Sequence, residues 1–315
     1  METTPERWLV AAWPGLGQVA TTAAVYLLSK LRMHQVAEFP ARDLFELDSV
    51  EVTAGVLHAA RLPRSRLFLW RNPAAGRDIV VFLGEAQPPV GRLALCQRLL
   101  AAARSLGVRR VLTFAAMASE MEPAAPSRVF GVASDAAGVD ELKRQEVAVL
   151  AQGRISGLNG VLLAAAAEAG IPATGLLGEM PGLAPQLACP NASVAVLRAF
   201  SALSGVPLDL KELVDYGRSM QLELSSLYEQ LRKAFEEGAP QAGEPRAATP
   251  APEPAPAKPS ETMLADEDAE RVERLFQQAR GDRAKAFELR KELDRLGVFA
   301  KYEDRFLDLF EQGPP

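Results

Sequence analysis

The chain has 315 residues, 48% of them hydrophobic, and a net charge of −5, enough for one large α/β domain with an appendage or for two ordinary domains. The acidic balance lacks the electrostatic footprint of a nucleic-acid binder, and it is uneven: residues 1–235 carry 23 Lys+Arg against 22 Asp+Glu, whereas residues 236–315 carry 12 against 18. Cys96 and Cys189 have no CxxC partner, which excludes thiolate zinc and thioredoxin-like patterns and is expected of buried thiols in a reducing cytosol.

In chain order, the apolar run Trp8–Trp13 predicts a buried strand, and Pro14-Gly-Leu-Gly17 breaks it before an apolar helix over Gln18–Met33. Val50–His58 and Ser65–Arg71 read as strands, followed by Asp78–Leu83, a β-branched run suited to a central strand buried on both faces. A helix over Val90–Leu106 carries a one-sided stripe of Leu93, Cys96, Leu99, Leu100 and Ala103. Strands follow at Val108–Ala115 and Ser127–Ala133, then a helix at Gly157–Ala169, a strand at Ala173–Leu177 and a helix at Ala192–Leu203. This alternation predicts a mostly parallel sheet covered on both faces, with an antiparallel portion across Val50–Leu83, where strands follow one another directly.

Asp209 and Glu212 have capping-box spacing and open a long helix to about Phe235, along which Leu213, Met220, Leu224, Leu227 and Leu231 approximate a heptad seam. That seam is expected to pack on the parent domain, with an oligomer contact as the alternative. Residues 236–260 hold seven prolines between Pro240 and Pro259 and too little apolar surface to offset ordering entropy, so they read as a linker. Beyond it, Val272, Leu275, Phe276 and Ala279, then Ala286, Leu289, Leu293 and Leu296, then Tyr302, Phe306, Leu309 and Phe310 mark three short helices, too few to fold alone and expected to dock. The domain reading is therefore 1–235, a linker 236–260, and a helical module 261–315.

Trp8–Ser29 is uncharged, but Pro14, Gly15, Gly17 and Gln18 interrupt it, and Glu2 and Glu6 spoil the basic start of a signal peptide. The expectation is a cytoplasmic protein with no membrane or nucleic-acid partner.

The loops following the predicted strands hold the candidate site residues. Gly15 and Gly17 lie in a strand-to-helix turn, where free N–H groups and a helix N-terminus favour an anion, although neither the dinucleotide fingerprint nor a P-loop is complete. Glu85 and Gln87 follow the most apolar strand, at the edge where open α/β sheets place ligands. Glu85 reads as a base, a hydrogen-bond acceptor or a carboxylate at the entry to the next helix. Ser156, Gly157 and Asn159 form a second glycine-rich helix entry, and Glu179 ends a later strand. Neither His34 nor His58 lies at an expected strand end with an obvious carboxylate partner, no GxSxG elbow is present, and only Lys30 and Lys143 precede Lys211. No catalytic residue, metal set or cofactor is therefore assigned.

Four segments in this order resemble one family. Trp13-Pro-Gly-Leu-Gly-Gln-Val19 looks like an N-terminal GWPGMGNVG signature, Gly84-Glu-Ala-Gln-Pro88 resembles a G-x-x-Q-P strand end, Gly153–Gly157 with Gly160 resembles G-x-I-x-G, and Leu176–Pro181 resembles LLGETP. Together they resemble the proteasome-assembly-chaperone-2-like family over about residues 7–235. The resemblance implies a three-layer α/β/α sandwich of phosphorylase/nucleosidase-like type with a mixed, mostly parallel sheet, assembled as a homo-oligomer, expected to be a homotrimer. It also implies a non-catalytic scaffold or assembly chaperone with a protein client. Ala12 and Ala20 depart from the outer glycines of the signature, and Gln312-Gly-Pro-Pro315 lacks the hydrophobic–Tyr–any-residue tail by which some relatives engage proteasome rings. The alternative is a nucleoside or phosphate binder, or a nucleosidase-like enzyme, using the glycine loops; the lysine scarcity leaves an ATP-grasp-type ligase behind both.

Overall fold

The computed structural model describes residues 5–46, 50–59, 61–74, 76–183, 185–237 and 264–311. The expected linker lies largely outside them, as do Gln312–Pro315 and the side chains of Leu227 and Leu231. Strand β1 (Arg7–Ala12) is apolar after its first residue and divides its side chains between two cores. Trp8, Val10 and Ala12 enter one, while Leu9, Ala11 and the following Trp13 enter the other. Parallel neighbours β6 (Asp78–Gly84) and β7 (Val108–Ser119) flank it, and β10 (Ala173–Pro181) continues the parallel set beyond β7. Each runs apolar through its centre because helices cover both sides, as continuous hydrophobic strands require.

The antiparallel portion lies at the two flanks. Beyond β6 come β5 (Ser65–Trp70) and then β2 (His34–Phe39); beyond β10 come β8 (Val129–Ala133), antiparallel to it, and the two-residue β9 (Ala148–Val149). The eight-stranded order is β2-β5-β6-β1-β7-β10-β8-β9. One face is covered by α1 (Val19–Lys30), α5 (Pro190–Ser204) and the start of α6 (Lys211–Glu237), the other by α2 (Arg92–Ser105) and α4 (Gly157–Glu168). The fold is thus the mixed, mostly parallel α/β sandwich with C-terminal helices that the sequence predicts.

Three local expectations are corrected. Val50–His58 is not one strand but a hairpin, β3 (Val50–Thr53) and β4 (Val56–Ala59), forming a separate two-stranded sheet. Ala54 and Gly55 both take positive φ, 51° and 79°, the two-residue turn that reverses a chain with the twist of its strands. Leu93 is half exposed at 50%; Leu95, one turn before Leu99, takes its place in the stripe. The unexpected α3 (Ala136–Arg144) starts at Asp135, whose carboxylate accepts from the Gly138 N–H at 2.7 Å, a side-chain cap legible in sequence.

Helices α7 (Asp266–Gly281), α8 (Ala286–Arg295) and α9 (Phe299–Leu307) join the core on the α1 side. Phe287 stands edge-on to Tyr26 of α1, with ring centroids 4.7 Å apart, and 6.1 Å from Tyr216 of α6. The Ser29 hydroxyl donates to the Arg283 carbonyl at 2.9 Å, and the Arg283 guanidinium to the Met33 carbonyl at 3.3 Å. Among the described residues no helix is long and apolar enough to cross a membrane. Because Phe287 is fully buried between two tyrosines, Phe287→Ala should lower stability by about 3–5 kcal/mol, measured by urea unfolding.

Candidate functional site

All four parallel strands end at one edge of the sheet, and the loops that leave them hold the predicted site residues. The first turn is shaped by Trp13 and two glycines. The Trp13 indole lies across the end of β6, where a Cβ on Gly84 would stand 2.6 Å from its Cδ1, so a side chain at 84 would expel the ring. Gly17 has φ of 58°, a left-handed value, and a Cβ there would stand 2.6 Å from the Met180 sulfur. Its N–H donates to the Pro185 carbonyl at 2.7 Å, and its carbonyl accepts from the Cys189 N–H at 2.8 Å. The Gly17 amide is therefore engaged with the loop between β10 and α5, whereas Gly15 is extended and faces open space.

Gln87 ties three loops together. Its Nε2 donates to the Pro14 carbonyl at 3.2 Å, and its Oε1 accepts from the Leu158 N–H at 3.2 Å. One amide thus spans the β1–α1 turn and the first turn of α4, satisfying one of the N–H groups a helix leaves unpaired at its start. Gly157 lies against this amide, since a Cβ there would fall 2.9 Å from Oε1. Ser156 is exposed at the N-cap, and Asn159 follows with its Oδ1 buried and without a hydrogen-bond partner among the described residues.

The two candidate carboxylates lie apart from this junction, each held by its own cations. Glu179 makes a bidentate pair with Arg128, at 2.7 and 2.9 Å, and its N–H donates to the Arg128 carbonyl. The Arg128 hydrogen bonds hold its carboxyl below the usual range. Glu85 is buried, accepts from the Arg64 N–H at 2.9 Å and from Arg61 at 2.7 Å, and lies 3.7 Å from Arg66. Burial pushes its carboxyl up despite those cations. The structure therefore joins Gln87 and Gly157 to the Pro14 turn, and leaves Glu85 and Glu179 in separate ion pairs.

Glu85 also belongs to a network that reaches α9. The fully buried Arg66 pairs with Asp304 at 2.7 Å and Asp308 at 3.1 Å, while Arg61 and Arg64 also contact Asp304. Arg290 of α8 donates to the Gln18 side-chain oxygen at 2.6 Å and to Asp294 at 2.7 Å, over the Phe299 ring. Apart from Glu85 and Gln18, the sequence did not mark these residues. The signal was the spacing Arg61-x-x-Arg64-x-Arg66 opposite carboxylates one helical turn apart at 304 and 308.

The PAC2 family model matches residues 9–227 of this chain. An uncharacterized protein of Methanocaldococcus jannaschii is 26% identical over 238 residues, 73% of this chain and 84% of that protein. The crystal structure of a PAC2 family protein from Streptomyces avermitilis is 27% identical, with a TM-score of 0.61 over 70% of this chain and 96% of that one. Two further crystal structures share the fold. A proteasome-assembly chaperone homologue of Mycobacterium tuberculosis is 23% identical, with a TM-score of 0.61 over 70% of this chain and 94% of that one. An archaeal proteasome activator from Pyrococcus furiosus is 22% identical, with a TM-score of 0.59 over 74% and 95%.

Two tests follow from this geometry. Gln87→Ala removes both bridging hydrogen bonds and leaves the Leu158 N–H without its partner, and should cost about 1–3 kcal/mol in urea unfolding. Glu303 is pushed up to about 7, by burial first and then by Glu85 and Asp304, against the pull of Arg290 and Arg61. Its usual value is 4.5, so the folded chain holds an extra proton between these limits and loses stability as pH rises from 5 to 7. Glu303→Gln should flatten that fall in unfolding measured at pH 5, 6 and 7.

Proposed function

The chain belongs to the PAC2 family, and from that premise we propose that it is a non-catalytic, homo-oligomeric scaffold with an assembly-chaperone-like role toward a protein client, working in the cytoplasm. The observation that carries this reading is the engagement of the strand-end groups with one another. Gln87 clamps two loops, Glu85 and Glu179 are neutralised by arginines, and the Gly17 amide is taken by Pro185. Such a junction holds loops in register and presents them as a surface. The proteasome-related names of two structures with this fold supply the class of client, a multisubunit protein assembly.

Self-association is supported by the outer surface of α2 and α4. Helix α4 carries no charge before Glu168, yet Ala164 and Ala167 are exposed, and on the α2 side Val90 and Leu93 are 66% and 50% exposed. A helix apolar on every side belongs in an interior, and a neighbouring copy supplies one. We take the assembly to be a trimer, as the family resemblance implies.

Light scattering should then return three times the chain mass of 33.9 kDa, and Leu93→Glu combined with Ala164→Glu should reduce it to a single chain. A monomeric wild type would refute the oligomer. For the non-catalytic reading, millimolar phosphate, nucleosides and nucleotides should leave the melting temperature unchanged. A shift of several degrees with any of them would move the assignment to a small-molecule binder.

A further inference from the structure

Helices α7–α9 lie beyond the family match, which ends at residue 227, yet they are not a solvated appendage. Val272, Phe276, Phe287 and Phe306 are buried in the same core as Tyr26 and Phe68. Their seat on the body has an apolar half and an ionic half. In the first, Phe287 meets Tyr26, and Phe310 stands edge-on to Phe68 at 6.2 Å. In the second, Arg64 and Arg66 face Asp304, Asp308 and Glu311 across 2.7–3.3 Å, and Arg61 also reaches Asp304.

The segment that fills this seat has a definite pattern. Asp304, Asp308 and Glu311 recur at helical spacing and line one side, and Phe306, Leu307 and Phe310 are buried. The complement on the body is an arginine strip, Arg61, Arg64 and Arg66, beside the aromatic Phe68. Glu38 and Glu85 neutralise part of that strip from the body side, at 2.5 Å from Arg64 and 2.7 Å from Arg61. The inner guanidinium, Arg66, has only a loose 3.7 Å ion pair to Glu85 from the body and takes its hydrogen-bonded carboxylates from Asp304 and Asp308. Residues 238–263 separate α6 from the stretch that leads into α7, twenty-six residues that could span at most roughly 90 Å.

We propose that the arginine strip, with Phe68, is a docking surface for an acidic amphipathic helix, that α9 and its following turn occupy it in cis, and that a partner helix of the same chemistry takes their place. Such a helix presents carboxylates at i, i+4 and i+7 and aromatic residues between them. Displacement also loosens the segment after β6, because Asp304 leaves Arg61, which holds Glu85. The contact is internal to the chain and holds whatever client the body serves.

The test uses the full chain carrying Asp304→Asn and Asp308→Asn, which preserve size and remove both charges. Hydrogen exchange in α7–α9 and along α1 should quicken at least tenfold, while β1, β7 and β10 keep their protection. A fluorescein-labelled synthetic peptide of residues 296–311 should then bind this variant at least tenfold more tightly than the wild type. It should bind a variant also carrying Arg66→Met no better than a scrambled peptide of equal composition. Unchanged exchange in the doubly substituted chain would overturn the proposal, as would quickening throughout the sheet, which would make α7–α9 inseparable from the body. Equal peptide binding to wild type and variant would overturn it as well.

Discussion

Strand β1 lies between two parallel neighbours and two helical layers, so every side chain from Trp8 to Trp13 has to be apolar and adjacent ones have to fit different cores. The rest of the structure depends on that constraint. Helix α1 returns on the face of Trp8 and Val10, and α2 and α4 cover the face of Leu9 and Ala11. The turn between β1 and α1 must then start from a strand end already crowded by Trp13. That is why Gly84 has no side chain, and why the neighbouring loops meet through a slender amide, Gln87, in place of a larger side chain.

Chemistry at the sheet edge is governed by arginine. Three carboxylates that could have served as bases or acceptors, Glu85, Glu179 and Asp304, are each met by at least one guanidinium, and two consequences diverge. At Glu179 the partner Arg128 is exposed and water shares the pairing, so the carboxyl is simply held ionised. At Glu85 and Arg66 the pair is buried, where lost hydration competes with mutual attraction and one missing partner costs more than the pair contributes. The acidic end of the chain therefore matters to the body: Asp304 and Asp308 complete a charge balance that residues 1–235 leave open.

The family motifs gain physical content in this setting. In Gly84-Glu-Ala-Gln-Pro88 the glycine admits the Trp13 indole, the glutamate anchors the Arg61–Arg66 segment, and the glutamine fastens α4 to the β1–α1 turn. These three residues face different neighbours, so the motif reads as a junction of three elements. The exposed apolar surface of α2 and α4 lies on the opposite side of the sheet from the C-terminal helices, which leaves that surface and the α9 seat on separate faces.

Much of this was legible in the residues. Continuous apolar runs at Trp8–Trp13 and Asp78–Leu83 and the spacing of helices between later strands determined a two-sided, mostly parallel sheet, because period and polarity are local properties. The loops at the strand ends, and with them Gly17, Gln87 and Gly157, were also marked by composition. The edge strand His34–Phe39 was not, since a half-exposed strand need not alternate, and Leu93 was placed inward because a stripe does not say where a helix begins. Tertiary structure alone decided which charges meet. Arg66 and Asp304 are separated by 238 residues, and no periodicity connects them. Their pairing exists because folding removes Arg66 from water, so its guanidinium must find an opposite charge within reach.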